Sequence, residues 1–177
     1  MPNDNYQELR EGLDIKWGAL FQTLNFLPIV LPIEYDFEIF FKTIGIDGII
    51  LTGGNDLNIL NSSAISLQRD TFEKKLIDYG IKNNIPIFGV CKGMQLIAEY
   101  FDSSFKKVEN QVAIKHTLIV NEDSKYFDKL IKLNKVNSYH NIAINKKRNK
   151  LINYFAISED LKIEGFHIKS KKILGIQ

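Results

Sequence analysis

One cysteine in 177 residues rules out a disulfide within the chain and suits a reducing compartment, so the expected setting is cytoplasmic. No apolar run approaches the roughly 20 residues that a membrane-spanning helix needs. The opening stretch MPNDNYQELREGLD is polar and partly acidic, unlike a secretory signal. An excess of one charge sign is also missing. The 23 basic residues against 21 acidic ones leave a net +2, and their scatter gives no footprint for nucleic acid. Repeats, low-complexity tracts and linkers are absent from the sequence as well. What remains is a composition 45% hydrophobic and 25% charged, ordinary for a soluble globular protein and long enough for one domain with a sizeable core.

The pattern along the chain alternates helices with strands. Leu9, Leu13, Trp17, Leu20, Phe21 and Leu24 recur at steps of three and four, which predicts an amphipathic helix over Tyr6 to Phe26 capped by Asn3, Asp4 or Asn5. Leu27 to Leu31 reads as a short strand and Tyr35 to Lys42 as a short helix. Asp47 to Thr52 is apolar on both faces, as a buried parallel strand should be. Ser66 to Asn83 follows as a helix with Leu67, Phe72, Leu76, Ile77 and Tyr79 inward. Ile85 to Val90 is the next strand, and Met94, Leu96, Ile97 and Tyr100 trace a helix after it. Beyond Phe101, short alternating runs at 105–108, 116–120, 142–144, 153–157, 161–166 and 172–176 read as hairpins and sheet-edge strands. The expected class is α/β with a central, mostly parallel sheet and a small antiparallel β edge region. Ligands in such folds sit beyond the carboxyl ends of the strands, which places Gly53, Gly54 and Cys91 on one rim.

The chemistry centres on Gly89-Val90-Cys91-Lys92-Gly93. A strand, a glycine-flanked nucleophile and a helix make a nucleophile elbow, whose strained turn pushes the reactive side chain out over the sheet end. The helix N-terminus is expected to lower the thiol pKa, and the Lys92 N–H is placed to hold an oxyanion. A buried, inert Cys91 is the bland alternative. Thr52-Gly53-Gly54-Asn55-Asp56 brings backbone N–H groups close to a ligand, or is a plain turn. Gln95 is one helical turn from Cys91 and on its face, or is a surface amide. Arg69, Asp70 and Glu73 open the preceding helix, where the two acids could serve its dipole alone.

GVCKGMQL resembles the elbow of class I glutamine amidotransferases, in particular their γ-glutamyl hydrolase branch, peptidase family C26. Three further stretches carry the resemblance: the Gly53-Gly54 loop, Arg69-Asp70-x-x-Glu73, and Asn137-Ser138-Tyr139-His140-Asn141. The resemblance implies a flavodoxin-like three-layer fold and one such domain over residues 1–177. It implies Cys91 as nucleophile, Gly54 and Lys92 as oxyanion donors, and a glutamyl site formed by Gly53, Asp56, Gln95, Ser138, Tyr139, His140, Asn141 and Ile142. His140 is expected to position its loop and not to act as base. Arg69, Asp70 and Glu73 could brace the oxyanion loop. In the family, the strand matched by Lys172 to Gln177 runs into W-H-P-E, which carries the base His and its orienting Glu. The expectation is therefore a chain trimmed at both ends, lacking the first strand and that segment.

The implied reaction is cysteine-dependent hydrolysis of a γ-glutamyl amide bond, with neither cofactor nor metal. Within the family, the entry helix and elbow resemble members that act on a γ-glutamyl nucleotide amidate in the phosphoramidate decoration of a bacterial capsule. Lys92, Lys115 and the 146–150 run would then meet the nucleotide. A γ-glutamyl-γ-aminobutyrate substrate is the nearest rival. Two other classes stay open: a glutaminase subunit passing ammonia to a synthetase partner, and a non-catalytic glutamyl-binding remnant. Nucleic acid and membrane are not expected partners.

Overall fold

A computed structural model describes residues 2–3 (backbone alone), 8–109, 111–145 and 150–177. The chain divides into two units, Met1–Ile44 and Gly45–Gln177. In the first unit, β1 (Pro2–Asn3) pairs antiparallel with β2 (Glu8–Leu9). Helices α1 (Lys16–Thr23) and α2 (Phe37–Ile44) follow. The helix expected from Tyr6 is thus confined to its second half. Asp14 Oδ1 accepts the N–H of Lys16 at 2.8 Å, a local alternative that competes with helical continuation toward the N-terminus. The expected caps Asp4 and Asn5 lie outside the described residues, and Asn3 is in β1. Trp17 stacks on Phe21 along α1, with ring centroids 5.4 Å apart. Leu27 to Leu31 is not a strand, because Pro28 and Pro32 remove two of the donors that a ladder would need.

The second unit holds the sheet. Its strands are β3 (Ile49–Leu51), β4 (Ile87–Val90), β5 (Phe105–Lys107), β6 (Val112–Val120), β7 (Lys135–Tyr139), β8 (Ile142–Ile144), β9 (Ile152–Ser158), β10 (Ile163–Ile168) and β11 (Ile173–Ile176). Its helices are α3 (Ala64–Lys82), α4 (Lys92–Tyr100) and the one-turn α5 (Phe127–Leu130). Among the described residues, seven strands form one sheet in the order β3-β4-β11-β10-β9-β6-β7, and β5 pairs with β8 apart from it. The α/β class and the small antiparallel sheet match the sequence reading. The mostly parallel sheet does not. Parallel pairing is confined to β3, β4 and β11, and every later neighbour is antiparallel. The reason lies in the connections: β3 and β4 are joined through α3, whereas β9, β10 and β11 follow one another through tight turns that can only reverse the chain.

Helix α3 starts where Ser63 Oγ accepts the Ser66 N–H at 3.0 Å, an N-cap of the ordinary kind. Leu67, expected inside, is 55% exposed. The buried residues are Ser66, Asp70, Glu73, Leu76, Ile77 and Gly80, so the first half of the helix buries polar residues. In the second half, Gly80 lets the helix sit against Ile49 and Ile87 of β3 and β4. Helix α4 is buried from Lys92 to Ala98. A Cβ on Gly93 would overlap the Leu51 carbonyl, so only glycine permits this strand and helix to approach so closely.

Candidate active site

Cys91 lies between β4 and α4 with φ 52° and ψ −110°, a backbone conformation that costs a non-glycine residue about 1–3 kcal/mol. The turn is held from both sides. Cys91 N–H donates to the Ile176 carbonyl of β11 at 2.9 Å, and the Cys91 carbonyl accepts the Gln95 N–H at 3.0 Å. Parallel registration of Ile176 with Val90 and of Leu51 with Gly89 brings three strand ends to one rim. A Cβ built on Gly53 would stand 3.5 Å from Cys91 Cβ and 3.8 Å from Sγ. The expected juxtaposition of the glycine loop and the cysteine is therefore present.

The thiol is half-buried. Burial pushes its pKa up, and this outweighs the Lys92 N–H, the Arg69 charge and the Gln177 side chain, which favour the thiolate; Asp56 adds to the rise. The helix terminus by itself lowers a thiol pKa, contrary to the net upward shift here. Desolvation of the sulfur on the crowded rim wins instead, so at neutral pH the thiol needs a base to take its proton.

The loop from Thr52 to Asn58 is clamped onto α3. The Arg69 guanidinium donates to the carbonyls of Thr52 and Gly53 at 3.0 Å each and to Asn55 Oδ1 at 2.9 Å. Arg69 is itself paired with Glu73 at 2.7 Å. Ser66 Oγ donates to the Asp56 carbonyl at 2.9 Å, and Asp70 Oδ2 accepts the Asn58 N–H at 2.7 Å. Gly54 adopts φ +139°, and a Cβ there would collide with Arg69. The Arg-Asp-x-x-Glu stretch therefore braces the loop and is more than dipole compensation. Asp56 is exposed at the loop end.

Lys92 departs from the sequence reading. Its side chain is 2% exposed, with Nζ 2.7 Å from Asp70 Oδ1 and paired with Glu73 Oε2. It cannot join a basic surface facing a nucleotide. Lys115 is exposed on β6, and residues 146–149 of the other candidate surface lie outside the described residues. Gln95 is also no surface amide: it is 5% exposed, and its Nε2 donates to Gln177 Oε1 at 3.3 Å.

The Asn137–Asn141 segment, read as a loop, begins instead as β7, an edge strand. Ser138 is buried and donates to the Gln111 carbonyl at 2.5 Å. Tyr139 is 68% exposed. Asn141 is exposed, with its carbonyl accepting the Val108 N–H, and Ile142 is buried opposite Lys107. His140 Nδ1 donates to the Ile142 carbonyl at 2.9 Å, and Nε2 faces Glu164 Oε1 at 3.7 Å. Glu164 is buried and meets His116 Nε2 at 3.7 Å on its other oxygen; its backbone carbonyl accepts the Gln177 N–H at 3.0 Å. The segment is thus linked through Glu164 and Gln177 to the Cys91 rim. No local signal in the sequence marks Glu164 or Gln177: a lone Glu in an alternating strand and a Gln after an apolar run have no distinguishing pattern.

Comparison with known proteins agrees with this geometry. The family model for peptidase C26 matches residues 16–177. The γ-glutamyl-CDP-amidate hydrolase of Campylobacter jejuni is 37% identical over 177 residues, covering 98% of this chain and 82% of that protein. Protein NtpR of Enterococcus hirae is 31% identical, covering 88% and 75%. A glutamine amidotransferase from Thermotoga maritima has the same fold, with TM-score 0.68 at 20% identity over 91% of this chain and 67% of that one. A strained cysteine at a strand–helix elbow, a clamped glycine loop against it and a match across most of the length place the chain in the peptidase C26 family, to which it belongs.

Proposed function

We propose that this chain hydrolyses a γ-glutamyl amide through Cys91 and that its substrate is a γ-glutamyl nucleotide amidate of the γ-glutamyl-CDP-amidate type, within capsule phosphoramidate biosynthesis. The observation that carries the chemistry is Cys91 in its strained elbow with the Gly53 backbone against it. The similarity to the Campylobacter jejuni hydrolase supports the substrate class. We further read residues 1–177 as one amidotransferase-like domain working in the cytoplasm.

Sγ attacks the γ-carbonyl carbon. The N–H groups of Gly54 and Lys92 stabilise the tetrahedral oxyanion. Collapse expels the amine, which takes the proton removed from the thiol, and leaves a γ-glutamyl thioester. Water then releases glutamate and restores the thiol. The raised thiol pKa means that a base must act in the first step. In the family pattern the base His follows the strand matched here by β11, and Gln177, the residue after β11, lies beside Cys91 and Gln95. Gln95, Asp56 and the Ser138–Ile142 segment hold the glutamyl group. Since the Ser138 hydroxyl and the His140 ring are committed to Gln111, Ile142 and Glu164, those two act by shaping the segment, and Tyr139, Asn141 and Ile142 meet the ligand.

The test is glutamate release by the protein from its complete reading frame, offered γ-glutamyl nucleotide amidates, γ-glutamyl-γ-aminobutyrate and glutamine. Turnover of a nucleotide amidate well above the others, abolished in Cys91→Ala, is the expected result. Preference for γ-glutamyl-γ-aminobutyrate would overturn the substrate. Turnover of glutamine alone would replace the reading with a glutaminase subunit that serves a synthetase, and no turnover would reduce the site to a binding remnant.

A further inference from the structure

Two cations and two carboxylates are sequestered under the elbow. Lys92 Nζ sits between Asp70 and Glu73; Glu73 also holds Arg69 at 2.7 Å; Arg69 grips the glycine loop at three acceptors. The circuit therefore starts at one proposed oxyanion donor and ends at the other, and every link between them stands on α3. Arg69 does more than tether. In a trans peptide the C=O and the following N–H point in opposite directions. Pulling the Gly53 carbonyl onto the guanidinium therefore turns the Gly54 N–H away from α3. On the other side, the Lys92 N–H belongs to a residue whose side chain is fixed at its far end by the same helix. The Asp70 carboxylate adds a second tie, holding Lys92 with one oxygen and the Asn58 N–H with the other.

Buried ion pairs of this kind contribute little net stability, since desolvating the charges offsets most of their attraction. What they do fix is geometry. Oxyanion stabilisation requires such fixing, because donors must already be in place when charge develops. We propose that Lys92, through its side chain, and Glu73 are positioning residues for acyl transfer: with Arg69 they lock the two halves of the oxyanion site to one rigid helix. The proposal rests on the reading of Gly54 and Lys92 as the oxyanion donors.

The test compares two reactions of Cys91 that do not require a glutamyl ligand. Acylation by p-nitrophenyl acetate passes through an oxyanion; alkylation by iodoacetamide does not. Both use the thiolate, so their ratio at a given pH cancels any change in its population. In the wild-type chain the ratio should exceed that of free N-acetylcysteine. A ratio no higher than the free thiol would overturn the oxyanion reading itself, irrespective of whether γ-glutamyl substrates turn over. Given a raised ratio, Lys92→Met should lower it about tenfold, Glu73→Gln should lower it by a smaller factor, and Lys92→Arg should recover most of it. Because Lys92→Met leaves the buried Asp70 carboxylate without a cation and Glu73 with Arg69 alone, the charge-relieved Lys92→Met/Asp70→Asn variant is measured beside it, with thermal unfolding of each. A loss of ratio in that double variant, with folding retained, supports positioning. An unchanged ratio in the folded variants overturns it.

Discussion

At the scale of single residues, the cysteine and the lysine beside it have exchanged the roles that their types suggest. A surface-seeking lysine is sealed in, and a thiol at a helix start is harder to ionise than a free one. Both follow from crowding where β3, β4 and β11 end together. The pH dependence of Cys91 alkylation by iodoacetamide should therefore have its inflection above the ~8.5 of an ordinary cysteine. Asp56 raises the thiol pKa and Arg69 lowers it. Hence Asp56→Asn should move that inflection down in pH and Arg69→Gln should move it up. Shifts in the opposite directions would contradict the electrostatic assignment.

At the scale of elements, α3 is the helix that organises the rim. Its first half buries Ser66, Asp70 and Glu73, and its second half buries Leu76, Ile77 and Gly80. Hydrophobic periodicity located the helix but mistook its inward face at Leu67, because the residues facing in are held by specific partners and not by apolarity. The elbow shows the opposite case: Gly89-x-Cys91-x-Gly93 was legible because close strand–helix packing demands glycine at that spacing. Gly93→Ala should accordingly destabilise the fold by about 1–3 kcal/mol, measured by urea unfolding, even though alanine is the better helix former. The β7–β8 segment makes a third case. Burial opposes charge on His140, but the Glu164 carboxylate, the Ile142 carbonyl and the Asp160 charge outweigh it and raise the imidazole pKa. A raised folded-state value means that the pairing stabilises fully below the unfolded value near 6.5 and is lost as pH rises through the folded one. The difference in melting temperature between wild type and Glu164→Gln should thus be largest in mild acid and should shrink toward alkaline pH. A difference that does not vary with pH would remove His140 from the account.

At the scale of the whole molecule, β4 is flanked in the sheet by β3 and β11, while β7 lies at the far edge. Amide exchange should be slowest in Phe88 to Val90 and markedly faster along Lys135 to Tyr139, as read by hydrogen–deuterium exchange. Equal protection would argue against this strand order. The proposed reaction draws on a thiol, backbone donors and an acid–base group, so a chelator should leave glutamate release unchanged.

The sequence by itself determined the family, the α/β class, the elbow around Cys91 and the glycine loop. Each of these depends on local rules, namely apolar periodicity, glycine at a tight turn, and a glycine-flanked cysteine between strand and helix. Tertiary structure alone decided the direction of strand pairing after β11, the burial of Lys92 in a carboxylate pair, the upward shift of the thiol and the links that run from His140 through Glu164 to Gln177. These depend on residues far apart in the chain meeting in a low-dielectric interior, where desolvation and partner geometry, and not residue type, set what a side chain can do.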